Sequence, residues 1–476
     1  MRRVSKLFYA VALAAAPAAF AQSTPPAAPQ ETPAKAAEVT PVTPQKAATP
    51  VVNKWNAQLY GFAELDAIQD TRQGLTEVPG NPVLPHAGNN YAADHGRYQM
   101  SIRNSRLGFR LASPEFRGMK ASGLIETDFF GVEPNAAAGG SEANFYNNAG
   151  LRVRHAWGKL ETPYVDVLGG QTWQLFGWQP YFHPNTVELQ GVPGQVYSRT
   201  AQLRVSKTVK ADPVTVETAV AVARPPQRDA DLPDGQAGIR LAFNDWKGVR
   251  TAGGTGTGVD SLMIGVSGAL RGFEVQKAGQ ANAAVTSKTS GWGVSVDGFV
   301  PVIPGTATDR SNALTATGSW VRGAGIQDMY SGFTNGVGSA QVAVPGSTTG
   351  ATTGSAGPLA GSNGLDAGLV AFNKANNLTA VDVRSFIVGL QYYTPIDNGA
   401  VWLAGNYSQT NADNVDALTS ATTQAWKRQR WAEGALFWDA TQAIRFGGSF
   451  GWFENVMKDN TLAHNQRYQF SMWYLF

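Results

Sequence analysis

The last ten residues, Arg467 to Phe476, narrow most sharply what this chain can fold into. Tyr468, Phe470, Met472, Tyr474 and Phe476 recur at every second position. Side chains of a β-strand alternate between its two faces, so these five share one face. The opposite face carries Arg467, Gln469 and Ser471, then Trp473 and Leu475. A strand with one face in lipid and the other in a wet lumen needs this pattern. The competing reading is the buried last strand of a soluble β-sandwich.

The start of the chain fits export. Arg2, Arg3 and Lys6 precede an apolar run from Phe8 to Phe20, and Ala19-Phe20-Ala21 matches a small-x-small cleavage site. This predicts a secretory signal peptide over residues 1–21. The run is short for a membrane anchor, and no other segment approaches the length of a spanning helix. With 0 cysteines the chain offers no disulfide, no lipidated cysteine and no thiolate. Residues 22–53 form a Pro/Ala-rich tether in which Pro25, Pro26, Pro29, Pro33, Pro41, Pro44 and Pro50 forbid a continuous helix. Fully extended, such a segment reaches about 90 Å. Its expected role is a periplasmic spacer, with contact to the cell wall as the sharper alternative. The net charge of +3 is too small to argue for a nucleic-acid partner.

From Trp55 onward the apolar pattern has period two. Candidate strands are 55–68, 98–111, 118–130, 150–161, 164–173, 196–209, 213–223, 237–246, 260–274, 290–302, 312–322, 381–394, 399–410, 429–439, 442–453 and 464–476. Each is long enough, when tilted, to cross a bilayer. If the first strand runs outward, the outer connections are long and the inner ones short, as in membrane barrels. The outer set is 69–97, 131–149, 174–195, 224–236, 275–289, 323–380, 411–428 and 454–463. Inner turns carry turn chemistry at Ser113-Pro114, Thr162-Pro163, Asp212-Pro213 and Asn398-Gly399. The exception is 247–259, long for an inner turn. A sandwich has no reason to alternate loop length by side. The expected fold is all-β, a sixteen-stranded antiparallel transmembrane β-barrel over residues 54–476 with short periplasmic turns and long extracellular loops.

Parity then assigns side chains to the lumen. Leu107, Phe109 and Leu111 face lipid, so Arg106 and Arg110 face inward. Leu151, Val153 and Trp157 are expected outside, which turns Arg152 and Arg154 inward. Tyr197, Ala201, Leu203 and Val205 are expected outside, which turns Gln202 and Arg204 inward, and Arg240 follows the same rule. A cation on the lipid face at mid-bilayer would cost about 2–4 kcal/mol. Arg103 and Arg199 break the alternation and are expected to snorkel at the membrane edges. Glu126 and Asp128 share a face with Lys120, on the strand beside Arg106 and Arg110. They either neutralise the arginines in ladder pairs or form one side of a transverse field that favours anions. Two charges 10 Å apart interact by about 0.4 kcal/mol in water but by about 1.7 kcal/mol near low-dielectric walls.

The 174–195 connection holds Phe176, Trp178, Tyr181, Phe182 and His183 among prolines, which suits a packed loop that narrows a channel; a subunit contact or membrane-surface patch is the alternative. Enzyme chemistry finds little support. Glu126 and Asp128 could serve glycoside hydrolysis, but pore lining explains them more simply. His86, His95, His155, His183 and His464 show no metal spacing, and His155 is expected at lipid or an interface. No cofactor is expected. Asp229, Asp231 and Asp234-Gly235 hint at loop-bound calcium without the spacing of a known calcium loop. Gly253-Gly254-Thr255-Gly256 lacks the lysine of a phosphate loop and is read as flexible linker.

Several segments resemble the DcaP-like porins, sixteen-stranded trimeric outer-membrane porins of Gram-negative bacteria. They are Tyr60-Gly61-Phe62 with Glu64, Ser105-Arg106-Leu107-Gly108-Phe109, Glu126 to Phe130, and Leu151-Arg152-Val153-Arg154-His155-Ala156-Trp157-Gly158 followed by Gly170-Gln171-Thr172-Trp173. The terminal Phe476, with Tyr474, resembles the signal by which the barrel assembly machinery recognises its clients. The resemblance implies a homotrimer in outer-membrane lipid that passes small anionic solutes, such as carboxylates, through an arginine-rich constriction. A helical trimerising extension found in that family has no counterpart in the Pro-rich tether. The alternatives are a barrel enzyme acting on lipid and a secreted all-β carbohydrate-active protein.

Overall fold

The computed structural model describes residues 55–81, 84–85, 90–131, 150–226, 232–276, 286–331, 369–373, 375, 377–418 and 426–476. The expected signal peptide, the tether, His86, Asp229 and Asp231 lie outside the described residues.

Sixteen staves form one closed antiparallel sheet in chain order. They are β1 (Asn56–Asp70), β2 (in two pieces, Arg97–Ser101 and Arg106–Ala112), β3 (Lys120–Asp128), β4 (Arg152–Glu161), β5 (Asp166–Trp173), β6 (Arg199–Ala211), β7 (Val214–Ala223) and β8 (Asp234–Arg250). They continue as β9 (Gly258–Gln276), β10 (Thr286–Ile303), β11 (Leu314–Ala324), β12 (Asp382–Tyr393), β13 (Val401–Ala412), β14 (Trp426–Asp439), β15 (Ile444–Met457) and β16 (Leu462–Leu475). Closure matters because a sheet edge in hydrocarbon would leave backbone groups unsatisfied at several kcal/mol each. β1 pairs with β16 from Phe62↔Leu475 to Asp70↔Arg467. The terminal residue finishes the seam: Gly61 N–H donates to Phe476 O at 2.9 Å, and Phe476 N–H donates to Gly61 O at 3.1 Å.

The alternating stripe of β16 behaves as its period requires. Tyr468, Phe470, Tyr474 and Phe476 are exposed on the outer wall, whereas Arg467, Gln469, Ser471 and Trp473 are buried inside. Leu107, Phe109, Leu203, Val220, Leu390 and Leu436 extend the same exposed apolar belt around the cylinder.

Two staves depart from the expected pattern. β2 breaks at Ile102–Ser105, where Glu64 N–H donates to Ser105 Oγ at 2.9 Å. Arg103 sits in this break and pairs with Glu77 at 3.1 Å, so it is not a snorkelling cation. The long inner connection at 247–259 is also different: β8 runs on to Arg250 and β9 starts at Gly258.

Parity fails once in β4, and the cause is a bulge. Glu126 pairs with His155 and Thr127 with Val153, leaving Arg154 as the extra residue. A bulge flips every side chain beyond it. Arg154 and His155 are therefore both buried inside. His155 does not face lipid: its Nδ1 lies 3.1 Å from Thr172 Oγ1. Trp157 is corrected in the same way, since it stands opposite Leu124 on the inward side of β3.

The bore is filled unevenly. Inward side chains of β12–β16 are buried, among them Ile387, Trp402, Ser408, Trp431, Phe437, Arg467 and Trp473. Inward residues toward the inner end of β2–β7, including Arg110, Ser122, Leu124, Lys159, Leu168, Arg204 and Glu217, are exposed or half-buried, whereas Glu126, Asp128, Arg154, Thr172, Gln202, Ala219 and Ala221 toward the outer end are buried. Water therefore reaches the inner part of the β2–β7 wall, while inserted segments cover the opposite one. The first outer connection is one such insert: Leu75 and Leu84 join Val192, Trp431 and Phe453 in an apolar cluster.

Candidate functional site

The 174–198 connection folds into the barrel instead of standing above it. It is tied first to β8 and β9, where Phe176 N–H donates to Gln236 Oε1 at 3.0 Å and Gly177 N–H to Ser267 Oγ at 2.8 Å. It then reaches β13 and β14. Asn406 Nδ2 donates to Asn185 O at 2.6 Å, and Thr186 Oγ1 donates to Glu433 Oε1 at 2.8 Å. At β16, Gln469 Nε2 donates to Val187 O at 3.1 Å. The loop thus follows the inner wall from β8 round to β16.

Its aromatic residues do not all face the water. Trp178 and Phe182 are buried with Leu175 against Ala219, Ala221, Met263 and Phe299. Phe176 belongs to a second buried cluster with Val321 and Ile326. Burying a Phe-sized side chain stabilises by about 1.5–3 kcal/mol, so these rings fasten the loop to the wall. Tyr181 is half-buried, and its ring lies 3.8 Å from the Arg240 guanidinium carbon. His183 stacks edge-on against Trp173 at 5.2 Å, and burial pushes its imidazole down to about 3, so it carries no charge at neutral pH.

The inward arginines fall into two groups. The first is engaged by acids. Arg154 Nε donates to Glu126 Oε1 at 2.7 Å and its Nη1 to Asp128 Oδ2 at 3.0 Å. Arg152 Nη2 donates to Asp128 Oδ2 at 2.6 Å, and Arg106 Nε lies 3.5 Å from Glu126 Oε1. Arg240 pairs with Glu217. Glu126 also accepts from Tyr60 Oη at 2.7 Å.

The second group has no such partner: among the described residues, no carboxylate lies within ion-pair distance of Arg110 or Arg204. Arg110 stacks over the Tyr60 ring at 4.3 Å. Arg204 donates to Trp173 O at 2.7 Å and Gln202 Oε1 at 2.8 Å.

Tyr197, expected outside, is inside. It precedes β6 and meets Trp173 edge-on, with the ring centres 4.7 Å apart. Arg199, expected at the membrane edge, lies over the same Trp173 ring at 4.7 Å. Burial raises the Tyr197 phenol, yet Arg154, Arg199 and Arg106 outweigh it and bring the group down to about 7.

Comparison with solved structures gives the same architecture. The outer membrane channel DcaP of Acinetobacter baumannii superposes with a TM-score of 0.60 at 16% identity, covering 89% of this chain and 97% of that one. The chain has the porin fold. OmpF of Salmonella typhi (TM-score 0.47, 11% identity, 89% and 98% covered) and an anion-selective porin from Comamonas acidovorans (TM-score 0.46, 9% identity, 89% and 100% covered) match in outline only. No family model matches the sequence. No curated protein matches it either. A porin-fold cylinder with a lipid-facing belt places the chain in the outer membrane of a Gram-negative bacterium.

Sequence reasoning missed several interior groups of this porin fold. Arg271 on β9 is buried between Asp234 at 3.0 Å and Asp328. Asp234, considered above for calcium, is committed to that arginine. Arg467 on β16 pairs with Asp70 at 2.8 Å and also donates to Thr76 O at 2.7 Å. Arg445 on β15 pairs with Asp439 at 2.6 Å. Parity put Arg467 on the inward face, but Asp70 reaches it only through the β1–β16 seam, Asp328 reaches Arg271 from an insert, and Asp439 faces Arg445 across a hairpin. Glu433, the acceptor for the inserted loop, carried no signal beyond its position in an alternating strand.

Proposed function

We propose that the protein is a diffusion channel for small hydrophilic solutes that favours anions such as small carboxylates, and that it is a homotrimer rather than an enzyme. Arg110 and Arg204, two cations without acid partners on the wetted wall, carry the anion preference. Arg154, Arg199 and Arg106 gathered around the Tyr197 phenol, which they draw down against its burial, support it. Glu126 and Asp128 favour pore lining over glycoside hydrolysis because each is engaged by guanidinium groups. Two such arginines near low-dielectric walls, each interacting by about 1.7 kcal/mol, bias anion passage tenfold or more.

The test is a planar-bilayer recording under a salt gradient. A reversal potential of the sign set by anions supports the reading, and one set by cations overturns it. Arg110→Ala with Arg204→Ala should bring the potential toward zero while the barrel remains heat-modifiable on a detergent gel.

A further inference from the structure

The segment between β8 and β9 is an inner turn that does not stay at the rim. Register shifts where Ser261 faces Lys247 and the next residue, Leu262, faces Phe243, so Asn244–Trp246 are extra. The hairpin bends there, and Trp246 Nε1 donates to Pro301 O at 2.6 Å. Its tip crosses the cylinder. Val249 is fully buried in a cluster with Phe62, Val187, Trp402, Phe437 and Trp473, which belong to the far wall and the inserted loop. Gly254 lies so close to β1 that a Cβ there would sit 2.4 Å from Phe62 Cε1. Glycine is required for that approach.

A latch holds the tip. Arg445 Nη1 donates to Ala252 O at 2.7 Å, Gly253 O at 2.7 Å and Thr255 O at 2.9 Å. Arg445 Nε donates to Asp439 Oδ1 at 2.6 Å, while Arg310 Nη1 donates to Asp439 Oδ2 at 2.7 Å and to Thr257 Oγ1 at 3.1 Å. One carboxylate therefore orients two guanidinium groups onto the same short loop. Arg250 Nη2 adds a tie to Pro180 O of the inserted loop at 2.8 Å.

We infer that residues 251–257 are a periplasmic gate: a strap across the bore, latched by Arg445 and Asp439, that limits the current through the channel. This rests on the channel reading above. The strap closes the β12–β16 side of the inner mouth and leaves solutes the β2–β7 side. Anion preference resides on that open side, so releasing the strap changes flow and not selectivity.

Single-channel recording of the full-length protein tests this with two variants. Replacing 251–257 by a two-residue turn should roughly double the conductance and leave the reversal potential unchanged. Because the shortened barrel could fail to fold, the second variant is Gly256→Cys, where no atom lies within 4 Å of an added Cβ. The chain has 0 cysteines, so a bulky thiol reagent added to the inserted channel reacts only there, and it should reduce the current. Conductance unchanged by the deletion, or current unchanged by complete labelling, overturns the gate. Protein that is silent both with and without the strap overturns the channel reading, and the gate with it.

Discussion

Arg154 Nε donates to Glu126 Oε1 at 2.7 Å, and both side chains are almost wholly buried. Alternation from Arg152 turns Arg154 inward beside the two acids of β3, and the bulge that follows adds His155 to the same side. Removing one member of a buried ion pair costs about 3–5 kcal/mol, since the other charge is left uncompensated. Arg154→Met should therefore lower the midpoint of the heat-induced gel shift markedly, and adding Glu126→Gln with Asp128→Asn should restore part of the loss. An Arg154→Met barrel as heat-stable as the parent would show that the pair contributes little.

Arg110 and Arg204 predict the opposite balance. Neither neutralises a carboxylate among the described residues, so their loss costs little stability. Each single alanine variant should shift the reversal potential toward cations with a near-parental melting midpoint. Equal potentials for parent and double variant would move the selectivity elsewhere in the bore.

Glu433 anchors the inserted loop through Thr186 Oγ1 at 2.8 Å and Val187 N–H at 3.2 Å. Glu433→Ala strands these donors, at about 1–3 kcal/mol each. Single-channel traces should become noisier as the loop loosens, and protease should cut within 184–195. A quiet, resistant variant would show that the aromatic contacts alone hold the loop.

Glu188, in the same loop, introduces a pH dependence. Burial, with Glu433 beside it, pushes the Glu188 carboxyl well above the usual carboxylate range, while Arg467 pulls the other way. A raised carboxyl keeps its proton in the folded state where the unfolded chain has lost it. Its contribution is full below the ordinary carboxyl range and is lost as pH rises through the raised value. Thermal midpoints in detergent should fall from acid to neutral pH, and Glu188→Gln should flatten that slope. A parent curve that rises over the same interval contradicts the assignment.

Phe476 closes the seam with Gly61 by two backbone hydrogen bonds. Deleting Phe476 removes both, along with an outward aromatic ring. The yield of heat-modifiable barrel from refolding should drop several-fold, each bond being worth about 0.5–1.5 kcal/mol. Parental yield would confine the role of this residue to recognition in the cell.

The sequence alone determined the wall. Alternation in β16, the long and short connections, and turn residues such as Asn398-Gly399 fix a sixteen-stranded cylinder, because strand periodicity and loop chemistry are local. The same parity placed Arg106, Arg110, Arg204 and Arg240 inside. It failed for Trp157 and His155, since a bulge is set by pairing between strands and leaves no mark in one strand's pattern. Tertiary structure alone decided which arginines keep a free charge. Glu126 and Asp128 meet Arg152 and Arg154 only through register, and Asp439, which faces Arg445 across one hairpin, gains Arg310 only when distant staves come together. The filling of the bore by the inserted loop and the inner hairpin was equally hidden. Those contacts join residues hundreds of positions apart, and the burial that drives them exists only once the walls stand around them.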